Sequence, residues 1–266
     1  MATKQAVKPG TAVAAPKKTQ VALPASMLAE LANEAKDASA NETPSISNIS
    51  FKSGILSVAG TPVANNTMDC IVVGTSYERA LYDGPYDPNK VKSPICFAIT
   101  SDGEGGEPHE NSLHPQNETC VGCPMNEWGS AGEGRRGKAC KEIRRLALIP
   151  TDKLESAADI MSSEMAMAKV PVTSVKNWSN YVHKASAMFG MPFWAMISRM
   201  WLTPHIKNQF EVNFIEVEPI QDMEALGAIK KKRTLVESFV MAPYSLATEE
   251  EEAPPPPPKA AIKKKF

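Results

Sequence analysis

Four of the five cysteines, Cys96, Cys120, Cys123 and Cys140, fall within one stretch of the chain. Cys120-Val-Gly-Cys123 is a C-x2-C knuckle, the spacing that lets two thiolates reach one tetrahedral Zn²⁺ from a tight turn. Cys140 follows after 16 intervening residues, and Cys96 precedes after 23. Closed structural zinc sites use four Cys, or three Cys and one His. The fourth ligand beside Cys120, Cys123 and Cys140 is therefore Cys96, His114 or His109. Cys96 is preferred, because it stands at the end of a predicted strand and would close the loop at its root. His114, a few residues ahead of the knuckle, is the runner-up. The competing reading is a set of free buried thiols. Residues 101–108 and 129–137 are too polar and glycine-rich to pack as core, and a long unpinned loop is uncommon inside a compact domain. A structural zinc ion is the expectation.

Catalysis by that metal is the weaker expectation. Zinc deaminases pair an H-x-E motif with P-C-x-x-C. Here His109 and Glu110 are adjacent, and Thr119 rather than proline precedes Cys120. No H-E-x-x-H is present, and four thiolates leave no open position for water. A zinc-dependent deaminase or nuclease is thus the last alternative, and no enzyme is expected. The flanking chemistry is cationic instead. Arg135, Arg136, Lys138, Lys141, Arg144 and Arg145 lie within eleven residues, a density that supplies phosphate neutralisation and counterion release. Tyr77, Tyr82, Tyr86, Phe97 and Trp128 are close in sequence. Single-strand binders combine such a basic groove with aromatic platforms, each worth ~1–3 kcal/mol per stacked base. Charge runs also serve simply as solvated faces, and most of these aromatics fit a core equally well. Trp128 stands apart, because Gly129-Ser130 follow it and no apolar periodicity surrounds it. The Tyr82–Pro88 run reads as a turn exposing two tyrosines, or else a structural corner. Trp178, Trp194 and Trp201 are assigned to the core.

The elements that must position these groups are partly legible. The chain of 266 residues carries a formal net charge of −1, so attraction to nucleic acid requires uneven charge. An apolar share of 42% implies that part of the chain is unpacked. No run of about 18 apolar residues suggests a membrane span, and the N-terminal lysines lack the apolar region of a secretory signal. A cytoplasmic protein with reduced thiols is expected. Residues 1–44 read as disordered, with a short amphipathic helix over Ser26–Asp37. Residues 45–246 read as one body. Strands are predicted over 50–58, 68–73, 95–100, 144–149, 193–202, 209–217 and 233–241, with Cys70 a small core hydrophobe. One helix is clear, with Val175, Trp178, Tyr181, Val182, Ala185, Met188 and Phe189 on one face. Thr173 or Ser174 should cap its start, while Gly190 and Pro192 stop it. The order predicts a mainly β (α+β) fold, an OB-like small barrel with one capped helix and a zinc-stabilised loop insertion over 96–140. Residues 247–266 form a tail of acidic, polyproline and lysine blocks ending in Phe266, expected to be disordered.

The run from Cys120 through Trp128 to Ser130, followed by Gly137-Lys-Ala-Cys-Lys141 and Arg144-Arg145-Leu146, resembles a pattern found in single-stranded DNA-binding proteins of tailed bacteriophages. The Tyr82–Pro88 turn and the segment from Pro94 to Gly103 fit the same pattern. The resemblance implies an OB-type fold, zinc held by the four cysteines, and a role in phage DNA replication, recombination or repair in the host cytoplasm. Acidic tails ending in an aromatic recruit partner enzymes in such proteins. This chain departs from that pattern, because Lys263–Lys265 separate the acidic run from Phe266. The competing binding class is a zinc-stabilised, transcription-associated module gripping a protein or a duplex.

Overall fold

The computed structural model describes residues 47–84, 92–103, 105–132, 134 and 136–244, with Pro24, Met27 and Leu31 before them. The chain divides into two units, Met1–Ser45 and Ile46–Phe266, and the second holds every strand of the described residues. Of the helix predicted over Ser26–Asp37, only Met27 and Leu31 are described, both helical. Tyr86, Arg135 and the 247–266 tail lie outside the described residues.

Among the described residues of the second unit, nine strands form one mixed, strongly curled sheet, a half-barrel, with three helices beside it. They are β1 (Ser47–Ser50), β2 (Ser57–Val58), β3 (Thr61–Pro62), β4 (Thr67–Leu81), β5 (Cys96–Thr100), β6 (Lys141–Pro150), β7 (Ala166–Val170), β8 (Met196–His205) and β9 (Gln209–Pro219). The helices are α1 (Ala157–Ser162), α2 (Val175–Phe189) and α3 (Met223–Val240). Strand order is β3-β2-β1-β7-β6-β4-β8-β9, and β1–β7 is the parallel pair. The spine is β4. One of its edges pairs with β6 over Cys70–Ala80; the other pairs with β8 over Thr67–Cys70 and then with β5 over Tyr77–Leu81.

Both faces of that spine are covered, which explains the unbroken run Cys70-Ile71-Val72-Val73. Met68, Cys70 and Val72 join Leu146, Leu148, Trp178 and Tyr181 beneath α2. Ile71 and Val73 join Ala147, Ile149, Ile160, Ile229 and Val236 beneath α1 and α3. The period-2 alternation of a strand sends neighbouring residues into opposite cores. Cys70 is fully buried, and burial pushes its thiol up to about 12.

The helix predicted over 175–189 forms, closed by Gly190 at φ 62, the left-handed position that favours glycine. Its expected N-cap works differently. The Ser174 hydroxyl accepts the N–H of Val212 at 2.9 Å, and Asn177 donates to the Val212 carbonyl at 3.0 Å. The start of α2 therefore satisfies backbone groups on the outer edge of β9, an edge otherwise open to pairing with another chain. Three expectations are corrected. Residues 233–241 are the second half of α3, because Ala225, Ala228, Ile229, Lys232, Val236 and Val240 keep helical spacing over the whole element. The 50–58 strand is broken at Lys52–Gly54, where Ser53 and Gly54 take φ 58 and φ 72. Helices α1 and α3 join the single helix expected. Among the described residues no helix is long and apolar enough to cross a membrane.

Candidate metal centre and nucleic-acid interface

Strand register sets the root of the cysteine loop. Leu81 pairs with Cys96 in β5, and Ala80 pairs with Lys141 at the start of β6. Cys140 stands one residue before Lys141, so Cys96 and Cys140 flank Leu81 on the same face. The knuckle is stitched to the strand ends by backbone bonds. The Cys120 N–H donates to the Gly106 carbonyl, Asn126 N–H to the Cys123 carbonyl and Cys140 N–H to the Met125 carbonyl, each at 2.8 Å. Gly106 has φ 102, and a Cβ there would lie 2.9 Å from Thr100 Cγ2. Only glycine lets the loop lie this close to β5.

All four thiols line one cavity of about 20 Å³, room for a single ion or water. Burial, and then the three neighbouring thiols, push the Cys140 thiol up to about 12. Burial also raises Cys120, against the opposing influence of Arg79. The Arg79 guanidinium lines the same cavity and donates to the Gly103 carbonyl at 2.9 Å and to the Gly105 carbonyl. Its Nε is buried without a partner among the described residues. Four soft donors and an adjacent cation suit a thiolate-bound divalent metal, which deprotonates the thiols it coordinates. As they stand among the described residues, no three or more His, Cys, Asp or Glu groups are drawn together into a metal-holding set. The alternative ligands are elsewhere. His114 is exposed, its N–H on the Ile95 carbonyl, while the His109 ring stacks on Phe97 at 5.0 Å. Neither lines the cavity.

The cationic residues divide into three groups. Trp128 is 77% exposed, with the Lys138 ammonium 5.5 Å from its ring centre. Lys138 also pairs with Glu142 at 3.1 Å, and Lys141 donates to the Lys138 carbonyl at 2.6 Å; Arg136 is exposed nearby in sequence. Trp128, Lys138 and Lys141 are thus brought together. Arg144 and Tyr77 form a second group, facing each other in register with the guanidinium 3.6 Å from the ring centre. Tyr77 is clamped, since a Cβ on Gly103 would lie 2.8 Å from its Cε1. Burial lowers the pKa of Arg144.

Arg145 is the third case, and it is not a surface cation. It is 2% exposed, paired with Glu78, and donates to the carbonyls of Val240 at 3.3 Å and Ala242 at 2.5 Å. No sequence pattern marks this interior network. Glu78 also faces Lys169 at 3.4 Å and accepts from the Tyr244 hydroxyl. The Lys169 ammonium lies 3.9 Å from the centre of the Tyr244 ring, and Phe97 meets that ring edge-on at 5.0 Å. Burial lowers Lys169 and raises Tyr244 far above a free phenol. Tyr82 is at the rim, its hydroxyl 3.4 Å from that of Tyr244. Alternation along β4 and β6 put Glu78 and Arg145 on one face, but the residues that cover them are distant in sequence. No protein-family model, curated protein or solved structure matches the chain.

Proposed function

We propose that the chain binds single-stranded DNA, largely independently of sequence, through the Trp128–Lys141 face of a zinc-pinned loop. What carries the reading is one small cavity lined by Cys96, Cys120, Cys123 and Cys140, in a loop that also carries an exposed tryptophan beside a lysine. In it, the four thiolates hold zinc as a closed structural site, and Arg79 offsets part of the resulting negative charge. Zinc supplies the cross-link between the loop and the ends of β5 and β6. Trp128 stacks on a base, while Arg136, Lys138 and Lys141 meet phosphates; Arg144 is held over Tyr77, and Tyr82 beside Tyr244. Arg145 is left out, since its donors are engaged inside. The curled half-barrel sheet fits the OB-type reading, and a phage replication, recombination or repair role rests on the resemblance of the Cys120–Leu146 run.

The test is a fluorescence titration with poly-dT and with duplex at two salt concentrations, with and without a chelator. Single strand should be preferred, with affinity falling steeply as salt rises. Trp128→Ala should weaken binding about tenfold. Equal affinity for duplex would reject the reading. A second reading, a protein-docking module, draws on the exposure of two apolar side chains of the loop, Val121 and Trp128; binding to neither nucleic acid would favour it.

A further inference from the structure

Helix α3 carries the run Lys230-Lys231-Lys232-Arg233, a second group of cations remote in sequence from the cysteine loop. Lys232 turns inward to the end of α1. The other three enter no ion pair among the described residues. Glu237 stands four residues beyond Arg233, a spacing that can pair opposite charges on a helix, yet the two make no salt bridge. Lys230 and Lys231 are exposed and Arg233 is half-buried. Lys231 lies about 100° round the helix from Lys230, so it widens the patch.

Two of these cations are held in place by one indole. The Arg233 guanidinium lies 5.2 Å from the centre of the Trp194 ring and donates to the Val73 carbonyl. The Lys230 ammonium lies 5.9 Å from the same ring centre. Trp194 packs against the core beneath α3, so it is a fixed post for the cations. Beyond the bond to Val73, the N–H donors of Arg233 have no hydrogen-bond partner among the described residues. Burial lowers the pKa of Arg233, and no neighbouring carboxylate opposes it. A partly desolvated guanidinium without a counter-ion favours an arriving anion. Its fork, beside the point charge of Lys230, matches the oxygens of a phosphate. A membrane surface would need an apolar stripe along the helix. The exposed apolar residues of α3, Met223 and Leu235, are twelve residues apart, about 18 Å along the axis, and form no stripe.

We propose that Lys230 and Arg233, with Lys231 beside them, form a second phosphate-binding subsite for single-stranded DNA. Val73, which anchors Arg233, and Leu81, at the root of the cysteine loop, are eight residues apart on β4, about 26 Å of strand. The subsite is therefore a contact separate from the loop face. The inference rests on the DNA reading for the source of the phosphates.

The test is the salt dependence of poly-dT binding by the full chain. Lys230 is exposed and belongs to neither core, so Lys230→Gln should fold as wild type does. Losing one phosphate contact should flatten the slope of log affinity against log salt by about 0.7 and weaken binding at low salt. Lys207→Gln removes the same charge from the exposed turn between β8 and β9, at the far end of β8 from Trp194, and should leave the slope unchanged. An unchanged slope in Lys230→Gln, or an equal change in Lys207→Gln, overturns the proposal. Wild-type binding to phosphatidylglycerol vesicles that Lys230→Gln abolishes, with the poly-dT slope kept, also overturns it and assigns the patch to a membrane. Poly-dT binding that responds to Trp128→Ala but not to Lys230→Gln sinks this inference alone. Binding that responds to Lys230→Gln but to neither Trp128→Ala nor chelator sinks only the loop reading, and no binding sinks both.

Discussion

Gly74 follows the bulge in β4, where the register with β6 shifts between Val72 and Gly74. A Cβ at this position would lie 1.9 Å from Cγ1 of Val236 on α3. Gly74→Ala should therefore push α3 off the sheet and cost about 1–3 kcal/mol. Adding Val236→Ala should make the pair less destabilised than the sum of the single changes, as read in urea unfolding. Asp69 shows a residue whose effect depends on pH. It takes a two-pronged grip from Arg199 at 2.6 and 2.8 Å, which holds its carboxyl below the usual range. A depressed folded pKa means that the contribution is present above the unfolded value of about 3.9 and is lost as pH falls through the folded one. Both side chains are partly exposed, so solvent screens the pair and its contribution is small. Wild type and Asp69→Asn should differ in unfolding midpoint near neutrality and converge as pH falls through the depressed folded pKa of Asp69.

Among the secondary elements, α1 depends on α3. A helix of six residues is too short to persist alone, and its last carbonyls have no helical partner. Lys232 reaches across from α3 and donates to the carbonyls of Ile160 at 2.9 Å, Met161 at 3.2 Å and Ser163. A cation at a helix C-terminus also suits the dipole. Lys232→Met keeps the stem and removes the donors. It should cost about 2–3 kcal/mol and speed amide exchange over Ala157–Ser162 well before the sheet opens. The legibility of elements followed their apolar period. Trp178, Tyr181 and Ala185, with Gly190 behind them, made α2 readable. The short β7, Ala166-Met-Ala-Lys-Val170, gave too little alternation to register. In α3 the charged run Lys230–Arg233 hid the period until Lys232 is counted among the inward residues.

Across the folded unit, the two cores and the cysteine loop are separate assemblies. Cys70 belongs to the core under α2, but Cys96, Cys120, Cys123 and Cys140 belong to neither core cluster. On the zinc reading, chelation should loosen residues 101–140 and expose four thiols to alkylation. Cys70 should stay protected and the helical circular dichroism largely intact. Deleting residues 247–266 tests the acidic run as a mimic of DNA on the basic face. Affinity for poly-dT should rise at low salt and converge with wild type at high salt, and an unchanged low-salt affinity would reject the mimic. Knuckle spacing, the clustering of cations and the amphipathic α2 could all be read from the order of residues, because each is a local pattern of residue type. Which of those groups are free to act was settled by folding alone. Arg144 and Arg145 are neighbours on one strand, so their side chains must point to opposite faces. That Arg145 is sealed against Glu78 while Arg144 caps Tyr77 depends on the segment after α3, which closes over one face from nearly a hundred residues away.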